Sequence, residues 1–151
     1  MKTISDLGAI VRQTAYAVHV CHGNGHLEKV CENALAHRLR KAGWDVKPQH
    51  SLKVYDEDGT EIGGYLADML VDNRLIVELK AARTIADEPV AQTLGYLKSA
   101  RIEHGLLVNF GSYRFQIRKY ILSQGKAKEE DWGRLAGLVP FRFAFYAFFR
   151  G

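Results

Sequence analysis

The sequence predicts an α/β domain in which a mixed sheet is covered by helices on both faces. Three observations predict it. The apolar periodicity changes along the chain in the order α, β, β, β, α, β, with one further helix before it and one further strand after it. The apolar run at 105 to 110 is short and bounded by turn signals, as in a strand buried on both faces. A helix between the third and fourth strands requires a parallel crossover, whereas short turns join the first three strands in antiparallel fashion.

Taken in order, residues 4 to 21 predict a helix, with Ile10, Val11, Thr14, Ala17, Val18 and Cys21 on one broad face. His22-Gly23-Asn24-Gly25 breaks it. A second helix follows over 26 to 42, its apolar stripe formed by Leu27, Val30, Cys31, Ala34, Leu35 and Leu39, with Gly43 as its C-cap. Strands are predicted at 50 to 55 and 62 to 71 around the turn Asp56-Glu57-Asp58-Gly59, and a third at 75 to 80. A helix over 87 to 101 is entered through Pro89 in its first turn. Residues 105 to 110 then form a buried strand and 114 to 121 a more exposed one.

Composition narrows the function classes. In 151 residues, 47% apolar and 25% charged content is that of a globular domain with a substantial core. The net charge of +4 allows a polyanionic partner without requiring one, and no basic stripe is evident. Cys21 and Cys31 make no disulfide framework, which points to a reducing compartment and a cytoplasmic protein. The N-terminus has no signal-like apolar region and no stretch is long enough to span a bilayer, so no membrane role is expected. No P-loop is present, and Ser99, Ser112 and Ser123 stand in no nucleophile elbow.

The chemistry concentrates in residues 65 to 80, YLADMLVDNRLIVELK, where two apolar runs flank Asp72-Asn73-Arg74 and each run includes an acid. Residues two apart on a strand share a face, so Glu78 and Lys80 project together above Ile76. A three-residue loop at 72 to 74 pairs Val71 with Leu75 and places Asp68 opposite Glu78. A two-residue loop sends the two acids to opposite faces. In the first register their Cβ atoms lie about 5 Å apart, and the charges repel by about 3 kcal/mol at an effective dielectric near 20. A shared proton, Lys80 or a divalent cation must offset that. Hard oxygen ligands that leave room for water and phosphate suit Mg²⁺ or Mn²⁺. Without a cation the same residues read as a solvated cross-strand cluster.

The αβββαβ order, with Asp68 on the second strand and Glu78-Leu79-Lys80 on the third, resembles the PD-(D/E)XK nuclease superfamily. Within it the chain resembles the GxxExxY proteins, through Gly25-His-Leu-Glu28-Lys-Val-Cys31, Tyr65-Leu-Ala-Asp68, Val77-Glu-Leu-Lys80, Ala91-Gln92 with Tyr96-Leu97-Lys98, and residues 105 to 111. The resemblance runs from about residue 8 to 120. It implies a restriction-endonuclease-like core and a metal-dependent phosphodiesterase site acting on nucleic acid, DNA before RNA. Asp68 and Glu78 are then the metal ligands, helped by the carbonyl of Leu79. Lys80 orients or polarises the attacking water and neutralises transition-state charge. Gln92 and Tyr96, one helical turn apart, match the Q-x-x-x-Y pattern of RecB-like nucleases and would hydrogen-bond the scissile region or the water. Cys31 stands where the family expects tyrosine, so no role of that tyrosine transfers.

Glu28 has two readings, which are compatible. It is a further metal ligand or binds a water on the metal, or, with Gly25 as N-cap, it is the third helical residue and caps orphan amides. A catalytically silent nucleic-acid-binding or assembly module that keeps the nuclease fold is the alternative to an enzyme. A zinc site from Cys21, His26 and Cys31 is chemically conceivable, but neither cysteine belongs to a C-x2-C pair and both fall on apolar stripes. In this division residues 1 to 122 are the nuclease-like domain and 123 to 151 a C-terminal extension. The aromatic tail of that extension, with Phe141, Phe143 and Phe145 in alternation, is expected to pack on the core or to join two copies into a homodimer.

Overall fold

The computed structural model describes residues 2–123 and 126–131, and its elements follow the expected order with one strand added. Helix α1 (Ile4–His22) begins at Thr3, which forms a capping box with Asp6, and buries Leu7, Val11, Ala15 and Val18. Helix α2 (Glu28–Lys41) buries Cys31, Leu35 and Leu39. The strands are β1 (Val46–Tyr55), β2 (Glu61–Val71) and β3 (Leu75–Lys80), then helix α3 (Asp87–Ala100), then β4 (His104–Asn109), β5 (Gln116–Ser123) and β6 (Lys126–Asp131).

The strands form one six-stranded sheet in the order β1-β2-β3-β4-β5-β6. Among the described strands only β3 and β4 pair in parallel, across the α3 crossover, and the other neighbours are antiparallel. Strand β1 starts at Val46, four residues before the sequence predicts. Pro48 hides it, being tolerated here because β1 lies at the sheet edge. Strand β6 has no apolar alternation to reveal it; it adds to β5 through backbone pairing, with Arg118 of β5 bridging Glu129 of β6 at 3.4 Å.

Two cores follow from the pleat. On one face α1 and α2 cover Met69, Val71, Leu75, Val77, Leu79, Leu106 and Val108. On the other, α3 covers Leu70, Ile76, Leu107 and Tyr120 with its Tyr96 and Leu97. Glu78 belongs by alternation to this second face, with Ile76. Among the described residues no helix is long and apolar enough to cross a membrane. The aromatic tail, and with it the expected dimer contact, lies outside the described residues.

Candidate active site

The β2–β3 turn fixes the register. Asp72 and Asn73 are both left-handed, at φ 55° and 56°, and the Arg74 N–H donates to the Val71 carbonyl at 3.1 Å. Such a turn needs two residues, so Arg74 is one more than the turn requires, and the pairs are Val71–Leu75, Leu70–Ile76 and Met69–Val77. The next position in line holds Asp68 and Glu78, as the three-residue register requires. There the ladder stops. The Asp68 N–H donates to Glu78 Oε1 at 3.0 Å, and the Leu79 N–H donates to Asp68 Oδ2 at 2.8 Å. Side chains thus take over the backbone groups that the strands leave open.

The other side of Asp68 is also open. Gln49 stands opposite it on β1, but with φ 51° it is skipped by the β1–β2 ladder between Pro48 and His50. Its amide donates to Glu32 at 2.9 Å, and the second oxygen of Glu32 accepts from Lys29 at 2.7 Å. A left-handed glutamine costs roughly 1–2 kcal/mol. The bond to Glu32, only 3% exposed, helps hold it there. At Asp68, then, β2 lacks regular pairing with either neighbour.

Charge is concentrated at this gap. Glu78 is buried and its carboxyl is pushed up to about 8, first by burial and then by the charge of Asp68, with the Asp68 N–H and Lys80 acting the other way. The Glu28 carboxyl is raised too, by burial first. Lys80 opposes that shift and Asp68 adds to it, so Glu28 shares the same field. Capping does not explain Glu28. It is the first residue of α2, not the third, Leu27 is the N-cap without a side-chain cap bond, and the Glu28 carboxylate accepts from the Ala81 N–H just past β3. Cys31 packs in the core below, its thiol raised by burial and by Glu28, and therefore neutral.

Helix α3 closes the site from the opposite core. Tyr96 is buried, with its phenol pushed up to about 12 by burial and then by Glu78 and Asp68. The exposed Gln92 side chain hydrogen-bonds that phenol. The Tyr96 ring lies 5.1 Å from that of Tyr65, a contact that the sequence did not assign. A protonated phenol among carboxylates is a hydrogen-bond donor.

The corner after Lys80 is held from β4. Asn109, fully buried, accepts from the Ala82 N–H at 3.0 Å and from the Gly111 N–H, and donates to the Ala82 carbonyl at 2.7 Å and to Gln116. Gly111 presses so closely on this corner that a Cβ there would overlap the backbone of Ala81 and Ala82. Sequence reasoning gave Asn109 no role. Its one signal was a polar residue ending an otherwise apolar buried run, where a polar group requires partners.

The donor set suits a hard divalent cation. It consists of two carboxylates, a third nearby in Glu28, and the Leu79 carbonyl, which points to the same strand edge as its N–H because N–H and C=O of one strand residue share a side. Glu78 is raised by burial first and by the Asp68 charge second, and a bound cation would relieve both. Among the described residues no three His, Cys, Asp or Glu side chains form a ready cage, so waters and phosphate would fill the remaining positions. The zinc alternative finds no support: Cys21 is exposed, Cys31 is buried, and neither joins such a group.

A family model described as the PD-(D/E)XK nuclease superfamily matches residues 5–120. No curated protein matches the chain in sequence. Among solved structures, a crystal structure of SSO0001 aligns with 16% identity and a TM-score of 0.46, covering 69% of this chain and 48% of that one. A cryo-EM structure of a DrdV–DNA complex aligns with 14% identity and a TM-score of 0.45, covering 85% of this chain and 12% of that one. The chain therefore spans about half the length of the first and a small part of the second.

Proposed function

The chain belongs to the PD-(D/E)XK nuclease superfamily, and from that premise we propose that it is a Mg²⁺- or Mn²⁺-dependent nuclease that cuts nucleic acid, DNA before RNA. Its αβββαβ core is the restriction-endonuclease-like arrangement. The observation that supports the reading most is the meeting of Asp68 and Glu78 where the β2–β3 ladder stops, with Lys80 on the same face and Glu78 raised to about 8.

In this reading Asp68, Glu78 and the Leu79 carbonyl would hold the cation, and Glu28 would hold a water beside it or bind directly. When bound, the cation supplies Lewis-acid polarisation of the phosphate and a more acidic water. Lys80 directs its ammonium at the attacking water and at the charge that builds on the phosphoryl oxygens. Tyr96 stays protonated and donates to a substrate oxygen, and Gln92 orients it through their hydrogen bond. Asn109 keeps the corner after Lys80 in place. Cys31 supplies no phenol, so the site works without the tyrosine of the GxxExxY pattern, the narrower group to which we assign the chain. Its two unbridged cysteines favour a cytoplasmic setting. We assign residues 1 to 122 to the catalytic unit and 123 to 151 to an extension, whose described strand β6 continues the same sheet.

The test is to incubate the purified protein with plasmid, single-stranded DNA and RNA, in Mg²⁺, Mn²⁺ or EDTA. Cleavage that needs the cation and disappears in Glu78→Gln is the expected result. Binding without cleavage under every metal would leave the silent module as the correct reading.

A further inference from the structure

Outside the carboxylate site the molecule has a basic cleft. Lys29, Asn33, Ala36, His37, Arg40 and Lys41 of α2 line it, and Pro48 of β1 closes it, enclosing about 570 Å³. The α2 residues recur at helical spacing on one face, so the cleft follows the helix. No acid lines it. Glu32, on the same helix, is buried and bonded to Lys29 and Gln49. Lys29 therefore enters the cleft as one partner of an ion pair, and the unpaired positive charge lies with Arg40 and Lys41. Arg40 donates to the Val46 carbonyl, which holds the guanidinium in place without neutralising it.

Both walls of the cleft begin at the carboxylate site. Lys29 follows Glu28 in α2, and Pro48 precedes Gln49, the residue opposite Asp68. From Lys29 to Lys41 the helix rises about 18 Å, which matches the axial length of about five nucleotides of one strand. Among the described residues strand β1 is the sheet edge, and no further described strand covers this side.

We propose that this cleft is the binding track for the phosphate backbone of the nucleic acid strand leaving the cleavage site. The proposal rests on the nuclease reading for its substrate but not for its geometry. Arg40 and Lys41 take phosphates at the far end, His37 and Asn33 offer hydrogen bonds between, and Lys29 hands the strand to Glu28 and Lys80. These contacts are to the backbone, so they add affinity without choosing a sequence.

Anisotropy of a labelled 20-base-pair duplex in EDTA, titrated with KCl, tests it in the full chain. The double variant His37→Glu/Lys41→Glu leaves the Arg40 anchor intact. The control, Lys98→Glu/Lys126→Glu, changes net charge at least as much on exposed residues elsewhere. The expected result is at least 10-fold weaker binding for the cleft variant near 0.1 M salt, with the slope of log K against log salt reduced by about one to two. The control should change by less than 3-fold. In Mn²⁺ the cleft variant should raise KM and keep kcat. Equal DNA affinity in the two variants overturns the track. So does loss of binding to phosphatidylserine vesicles with DNA binding intact, which would assign the cleft to a membrane surface. A protein that shows the expected binding but cuts nothing in any metal would keep the track and refute the nuclease.

Discussion

The two ends of the β2–β3 hairpin are held by different chemistry within a few residues of each other. At the turn, Val71 and Leu75 pair through the backbone, and the half-exposed ion pair of Asp72 and Arg74 sits outside at 2.9 Å. At the open end, Asp68 and Glu78 occupy the next pair position but bond to backbone N–H groups in place of the ladder. The same residue types are involved, acids beside a base. At the turn they face water, which screens them. At the open end Glu78 is buried beside the half-buried Asp68, and burial first, then the charge of Asp68, raises Glu78 to about 8. The strand pair thus keeps its ladder as far as Met69 and Val77, and beyond it the backbone N–H groups are given to carboxylates.

Three experiments sharpen or break this contrast. The largest effect should come from equivalent substitutions at the two ends. Glu78→Gln, or Lys80→Ala, should lower plasmid cleavage in Mn²⁺ by at least about 10²-fold, as loss of a transition-state contact does. Asp72→Asn should leave it within about 2-fold, since an ion pair partly open to water at a surface turn contributes about 0–1 kcal/mol. Similar losses at both ends would remove the distinction.

Next in size is the clamp on the open end. Asn109→Ala leaves the Ala82 and Gly111 backbone groups without their partner and should cost about 2–4 kcal/mol. That is a fall in Tm of roughly 10 °C for a chain of this length. Amide exchange should speed up at Ala81 and Ala82 and not at Asp72 to Arg74. Uniform acceleration over the hairpin would mean that the two ends are not independent.

The smallest effect concerns protons. Glu78 is raised in the folded chain above its ordinary value of 4.5, to about 8, so the folded state binds the proton more tightly than the unfolded one. Its contribution is fully present below about 4.5 and is lost as pH rises towards 8. Metal-free protein should therefore lose a few degrees of Tm over that window relative to Glu78→Gln. Bound Mn²⁺ should reverse the trend, because the ligand must be deprotonated. Melting curves of the two proteins that fall in parallel would show that Glu78 is not the group responsible.

Much of the fold was legible because local pattern and tertiary structure agree. Strand β3 and helix α3 fall where alternation and Pro89 place them, to within a residue. The pairing of Asp68 with Glu78 was legible only as one of two registers, and a single extra residue, Arg74, decides it. What could not be read depends on contacts distant in sequence. Glu28 read equally as a metal-side acid or a cap, and the cap reading falls only because α2 begins at it and its carboxylate reaches Ala81. Lys29, His37, Arg40 and Lys41 form no run in the sequence, with Glu32 among them. They become one basic wall only when the helical phase buries that acid and Pro48 arrives from another element.

Strand β1 has one more consequence, for how the molecule behaves in a crowd of its own copies. The outer strand of a sheet is a template on which another chain can polymerise. Here Pro48 offers no N–H and Gln49, at φ 51°, turns the backbone out of the extended line. The template is cut into a stub at Val46 and Lys47 and a separate run from 50 to 55, which includes the charged Lys53. The kink that frees Asp68 on one side of β1 thus protects the sheet from fibril growth on the other, and concentrated stocks should lose that protection if Pro48 and Gln49 are replaced by β-branched residues.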